Sequence, residues 1–504
     1  MIEKWLNLLF GKRAPLPGLP LDEFPGWQER ITRAVSHESN QRIYPQQAVR
    51  RLHLMPASRL ANLDQSVRVH LSTNVHQAHS LPQAESDAVA HLFIQGCERS
   101  GYTRQSALQA FHRYPGRLAT ALALIRCDDW VPQVRHEARN LLATIIKNEG
   151  AAPLFELGGL LLALRDRQRI QAHIWPELIE PALRHTDSVT RWRAISSGDA
   201  QARALAYAYT LAAERDRAHE IALYAITDVD PRNARWALET AAERLGPDQR
   251  QALAKAGLLH PQAGVRTQAT RQLSADHPET PALLEKRLFD TAQSTRSVAA
   301  YLLRTRHGID PLAVWRSALD QGPSAQARVA LQGLADHAQP EDAQRVLPWM
   351  QHRAGAMRAT ALRALIRSGT PEALEHLPAA LVDPSLQVQR QALVLYRHLP
   401  GMLRVDTLDA AFRSTTSEPT RSTLAHASSY LDRWTALTLL LRWWEQAPDS
   451  LAIRHEVAHW TEGRASQATP LPAALRAQLE ALLDETHRLT IAQRAAIVHA
   501  MKYA

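Results

Sequence analysis

Apolar residues along this chain recur at i, i+3, i+4 and i+7, the spacing that keeps them on one side of a helix, rather than at every second position as a half-buried strand requires. Ala, Leu, Arg, Gln and Glu dominate these stretches, and alternating runs of Val, Ile, Thr and aromatic residues are missing. The pattern predicts an almost entirely helical, all-α chain. At the N-terminus Ile2, Trp5, Leu6 and Leu9 share one helical face, and the proline-rich "APLPGLPLDEFPG" that follows reads as an extended connector. Residues 1–26 are therefore expected to form an amphipathic helix and linker that cap the rest, the sharper alternative being a tethered peptide docking on a partner.

The helices repeat. A box of the form apolar-Arg-x-x-apolar falls at Arg235, Arg266, Arg296, Arg328, Arg358, Gln389 (in the arginine position), Arg421 and Arg454, with spacings of 30 to 33 residues. Upstream it returns at Arg68, Arg104 and Arg135, while Arg191 and Arg494 fit less regularly. Pro247, Pro281, Pro311, Pro340 and Pro371 run in phase with the boxes and read as helix starts, because the missing N–H of a first-turn proline would have had no helical partner. Each period then holds a helix opened by proline, a turn, and a second helix opened near the box. Two short helices cannot bury both apolar faces alone, so such hairpins must stack. The expected division is 27–230 as irregular repeats and 231–504 as regular repeats of about 31 residues with a C-terminal cap.

An aspartate precedes the box arginine by six residues in "DDWVPQVR" (Asp129, Arg135) and "DTAQSTR" (Asp290, Arg296), and the same spacing links Asp383 to Gln389. With this feature the unit resembles a HEAT repeat of the short bacterial kind over about residues 60 to 500. The resemblance implies a right-handed α-solenoid in which Asp129, Arg135, Arg266, Asp290, Arg296, Arg328, Arg358, Asp383, Arg421 and Arg454 form a ladder between neighbouring repeats. The 56-residue gap between Arg135 and Arg191 departs from the pattern and predicts longer helices or altered packing there.

Composition narrows the function classes. Apolar residues make up 45% and charged residues 22%, a globular mix that excludes a wholly disordered chain. Cys97 and Cys127 are too few for a disulfide framework, and the N-terminus lacks the core of a secretory signal, so a cytoplasmic location is expected. No run approaches the roughly 20 apolar residues of a membrane span. The net charge of +9 permits an acidic protein or nucleic acid as partner, with lysine so rare that much of the arginine reflects genome composition.

His455-Glu456-x-x-His459 has the spacing that puts two zinc ligands on one helix face beside a glutamate base, and Glu480 stands 21 residues beyond as a third ligand for a thermolysin-like hydrolase. The match begins immediately after Arg454, in phase with the repeat, and no strand is legible nearby; it reads as two exposed histidines of a late repeat. His136-Glu137 occupies the same phase, but two in-phase pairs 319 residues apart do not make the facing pairs that a di-iron centre of the deoxyhypusine hydroxylase kind requires. His70, His76 and His79 form a loose polar cluster. No phosphate loop or nucleophile elbow is present, and no cofactor is expected.

In HEAT-like arrays the second helix of each pair lines the concave side, so positions about one, five and eight residues past the box should face a partner. Those positions give Arg271, Tyr301, Arg304, Arg363, Arg390 and Arg397, with Thr240, Glu243, Asp336, His426 and His459 in flanking repeats. The expectation is a non-enzymatic scaffold that binds a protein partner, an acidic one in particular, along this row; nucleic-acid binding through the same basic row and zinc-dependent hydrolysis are the alternatives.

Overall fold

The computed structural model describes residues 50, 52–70, 85–399, 401–463 and 469–504. Residues 1–26, His37-Glu38, His76 and His79 lie outside the described residues, as do the side chains of Arg68 and His70. The described residues are helices and short turns, with no strand among them, and no helix among them is long and apolar enough to cross a membrane. The chain forms two compact units, Met1–His277 and Pro278–Ala504.

Each unit is a stack of helical hairpins, an all-α solenoid. The second helices of the hairpins carry the box residues, apart from α3, which carries Arg203. In the first unit they are α1 (Gly101–Phe111), α2 (Pro132–Glu149), α3 (Ala200–Ala213), α4 (Pro231–Glu239) and α5 (Ala263–Gln272). In the second unit they are α6 (Gln293–His307), α7 (Ala327–His337), α8 (Gly355–Arg367), α9 (Leu386–His398), α10 (Glu418–Ser428) and α11 (Leu451–Gly463). Helix α1 packs on α2, α4 on α5, and α7 through α11 each on the next. One apolar core runs from Leu362 to Met501 and includes the fully buried Trp434, Trp443 and Trp460. Each of these indoles donates its N–H, to the Thr469 carbonyl, to Asp409 and to the Arg433 carbonyl, so these three rings bury no unpaired donor.

The proline starts hold in part. Pro247 and Pro311 open their helices, with Asp310 accepting from the Leu312 N–H at 3.1 Å, and Pro281 takes the second helical position. Pro340 instead precedes the short helix Asp342–Val346 by two residues, and Pro371 opens a 3₁₀ turn. The 56-residue gap opens on a longer helix, the 18-residue α2. Beyond it come short ones, including the buried Gly158–Leu164, and a ten-residue π-helix, Ile170–Ile179, with Pro176 inside it. A Cβ on Gly158 would stand 2.8 Å from the Ala202 Cα, so this glycine is what lets the short helix lie backbone to backbone against α3.

What makes many of the hairpins register is an arginine clamp at the turn. Turn carbonyls between two helices have no helical donor. Arg104 supplies one to Glu98 and Arg99, Arg135 to Asp129 and Trp130, Arg266 to His260 and Pro261, Arg296 to Asp290 and Thr291, and Arg358 to His352 and Arg353, at 2.7 to 3.1 Å. Gln389 does the same for the Asp383 carbonyl at 2.7 Å. The rest of the guanidinium reaches the next turn. Arg104 forks onto Asp129, Arg203 onto Asp228 and Arg358 onto Asp383, each 25 residues on, at 2.6 to 2.9 Å. The same carboxylates accept the N–H two residues ahead, from Val131, Asp230 and Ser385. One side chain thus ties its own turn to its neighbour's.

Three expected ladder members sit elsewhere. Arg328, Arg421 and Arg454 do not clamp a turn: Arg328 and Arg454 are exposed, and Arg421 lies half-buried over the Phe412 ring, 5.3 Å from its centroid. The clamp position repeats every 31 residues as Arg296, Ala327, Arg358, Gln389 and Thr420, so Arg328 and Arg421 stand one residue past it. Gln389 bridges to Thr420 at 3.0 Å in place of an arginine–aspartate fork. Asp290 accepts the Ala292 N–H and pairs with Arg287, and Arg296 reaches Asp336 at 3.6 Å.

Asp129 and Arg104 are almost wholly buried, and removal of one partner strands the other's charge. Asp129→Ala should therefore cost about 3–5 kcal/mol in urea unfolding, whereas Arg328→Ala should stay within about 0.5 kcal/mol; equal effects would refute the clamp. At the same turn Glu98 is buried with Oε1 lacking a donor among the described residues, and burial pushes its carboxyl up to about 7. The folded state holds this proton more tightly than the unfolded one, so stability should fall as pH rises from about 4.5 through about 7. Glu98→Gln should flatten that limb and raise stability at pH 8 by about 1–3 kcal/mol, measured as denaturation midpoints across pH.

Candidate partner-binding surface

The 31-residue register defines which residues occupy equivalent places in the second unit. One position past the clamp come Ser297, Arg328, Ala359 and Arg390; five past it, Tyr301, Gln332, Arg363 and Val394; eight past it, Arg304, Ala335, Ile366 and Arg397. Tyr301, Arg304, Arg390 and Arg397 are exposed on α6 and α9. Arg363 is half-buried and ion-paired with Asp336 of α7, so its charge is spent within the fold. Arg271 is exposed on α5 in the first unit, 3.5 Å from the Gln268 side chain. Of the flanking positions, Thr240 is buried and Asp336 is neutralised by Arg296 and Arg363.

Charge is sorted between the two helices of each hairpin. Helices α6 to α9 carry nine arginines and one acid, Asp336. The acids of the same unit lie largely on the first helices and turns, among them Asp310, Asp320, Asp342, Asp406 and Asp409. Clamp and core contacts take Arg296, Arg358 and Arg363. Arg304, Arg306, Arg328, Arg367, Arg390 and Arg397 remain exposed and form no ion pair among the described residues. Nothing on these four helices offsets them, so the exposed face of α6 to α9 is basic.

The histidine–glutamate pairs have a different use. His455 and His459 are exposed on α11, while Glu456 turns back to His426 Nδ1 of α10 at 3.6 Å. Glu137 does likewise, reaching His112 Nε2 at the end of α1 at 3.2 Å. In both boxes the glutamate therefore links consecutive repeats. Glu480 is exposed on Ala473–Glu485, and among the described residues no three His, Cys, Asp or Glu side chains come together as ligands. Glu480, the third ligand of the zinc alternative, does not converge with His455 and His459. Equimolar zinc in protein purified without chelator, lost on His459→Ala, would restore the hydrolase reading; the expected result is metal content unchanged by that substitution.

A concavity of about 620 Å³ lies where the Leu319–Pro323 turn meets Glu341–His352. Its charged lining is already matched, with Arg345 donating to Asp320 at 2.7 Å, and Trp349 stacks on His352 at 5.9 Å.

Four positions used by the fold lie outside the sequence expectation: Arg203, Asp228, His260 and His352. His260 takes the aspartate's place, its Nδ1 accepting from the Gln262 N–H and its Nε2 lying 3.0 Å from the Asp228 carbonyl. His352 Nδ1 accepts from Ala354 in the same manner. The 25-residue step from arginine to aspartate was the signal that would have found Arg203 and Asp228.

No family model matches the chain, and no curated protein matches it. Among solved structures, yeast importin-beta, Kap95p, is similar at 14% identity and a TM-score of 0.30, over 94% of this chain and 63% of that one. Kap121p bound to Pho4p is similar at 12% identity and a TM-score of 0.27, over 99% of this chain and 56% of that one. Kap121p bound to the extreme C-terminus of the protein phosphatase Cdc14p gives 12% and 0.27, over 94% and 53%. The chain spans little more than half the length of most of these structures. The repeat architecture rests on this chain's own helices and clamps.

Proposed function

We propose that the protein is a non-enzymatic helical-repeat scaffold that binds a protein partner along the exposed face of α6 to α9. The observation that carries this reading is the charge sorting in the second unit: nine arginines against one aspartate on those helices, with six of the arginines exposed and unpaired among the described residues. Unpaired surface cations cost folding little but attract an acidic surface over a Debye length of about 8–10 Å. A stacked array presents them on consecutive, rigidly spaced helices, which suits an elongated partner better than a compact ligand.

Charge reversal at Arg304, Arg390 and Arg397 touches no clamp and should leave the melting transition in place. Affinity capture from the native host after nuclease treatment should retain a defined set of proteins on the unaltered chain and lose it on the triple reversal. Retention unaffected by the reversal would sink the proposal. Capture that disappears with nuclease, and falls steeply with salt, would transfer the surface to nucleic acid.

A further inference from the structure

The basic face is interrupted at two equivalent places by exposed apolar side chains. Tyr301 is 66% exposed and Val394 50% exposed, although both stand on helices whose other faces are tightly buried. They occupy the same register position, five residues past the clamp, three repeats apart. Each has arginine on its own helical face: Arg304 lies three residues after Tyr301, while Arg390 lies four before and Arg397 three after Val394. The two positions between them are polar, Gln332 and Arg363, and Arg363 is already paired with Asp336. The face is therefore two apolar points, each flanked by unpaired cations, with the exposed Arg328 of α7 as the cation at the register positions between them.

Resting on the scaffold reading above, we propose that this face binds an acidic, extended protein segment carrying a bulky apolar residue at each end, one seated at Tyr301 and the other at Val394. Three helix-to-helix steps of about 8–10 Å set the two points about 25–30 Å apart. An extended chain covers that distance in about eight or nine residues at about 3.3–3.6 Å each. Carboxylates beside each apolar residue meet Arg304 at one end and Arg390 with Arg397 at the other. The same face suits a nucleic acid less well. A single-stranded backbone is held by aromatic platforms for successive bases and by evenly spaced cations. Here Tyr301 alone among the four equivalent positions is aromatic, and Val394 offers no ring for stacking.

The test is fluorescence anisotropy with the full chain and three labelled probes of equal net charge. These are an acidic peptide with two leucines nine residues apart, the same peptide with serines in their place, and a deoxythymidine oligonucleotide. The leucine peptide should bind at least tenfold more tightly than the serine peptide. Tyr301→Ser and Val394→Ser, both surface changes, should each weaken the leucine peptide about tenfold and leave the serine peptide unmoved, with thermal melts confirming the fold. Arg304→Glu with Arg397→Glu should abolish binding of both peptides. Equal binding of the two peptides, or unchanged affinity in the serine variants, overturns the apolar half of the recognition while leaving the scaffold proposal standing. Tighter binding of the oligonucleotide than of the leucine peptide overturns the assignment to protein. If lysate capture is itself insensitive to charge reversal, the scaffold reading fails and this inference falls with it.

Discussion

The hairpins clamped in this way depend on a donor for the carbonyls of their turns. The helices on either side leave those carbonyls without a helical partner. A guanidinium solves two problems at once, since its planar fork reaches two turn carbonyls and still has N–H groups for the aspartate of the next repeat. Arg104 and Asp129 show the complete arrangement, with both side chains buried and each hydrogen-bonded several times over. Such a pair is worth little as a bare ion pair in a low-dielectric interior. It persists because the alternative is several stranded polar groups.

The clamp tolerates substitution where a different group meets the same demand. Gln389 supplies an amide N–H to the Asp383 carbonyl and a second to Thr420, so the charge is dispensable while the donors are not. His260 and His352 replace aspartate because their Nδ1 can accept the main-chain N–H two residues ahead. Ala327 supplies nothing, and in that repeat Arg316 of the preceding helix reaches Asp342 at 2.7 Å instead. Near the C-terminus Glu418 takes over the link, accepting from Ser450 and from the Ala452 N–H at the start of α11.

The same chemistry separates structural from available arginines. Arg296 and Arg358 are consumed at the turns, and Arg363 is drawn to Asp336. Arg304, Arg390 and Arg397 carry the same group on helices of the same set but are exposed and form no ion pair among the described residues. Because α6 to α9 hold one aspartate among them, the arginines left over cannot be neutralised locally. A face with that surplus is a property of the hairpin's charge sorting rather than of the net charge of the chain.

The helical class, the period of about 31 residues and the hairpin unit were legible in the sequence, because apolar periodicity and turn spacing are local and recur often enough to outweigh any one irregular copy. Arg135, Arg266, Arg296 and Arg358 stand out by the same recurrence, and each donates to carbonyls of its own turn. Position within one residue was not legible. Arg328 and Arg421 satisfy the written pattern yet stand one place beyond the clamp, since a single step along a helix rotates a side chain by about 100° and moves it off the turn. Arg203 and Asp228 stayed hidden behind the irregular 56-residue gap, whose π-helix and short segments no local propensity announces. The histidines at 455 and 459 share a helix face by spacing alone, but whether a third ligand meets them is set by the neighbouring helices. Local order follows from the chain's own periodicity; which side chains meet across repeats is decided by the packing of elements far apart in sequence.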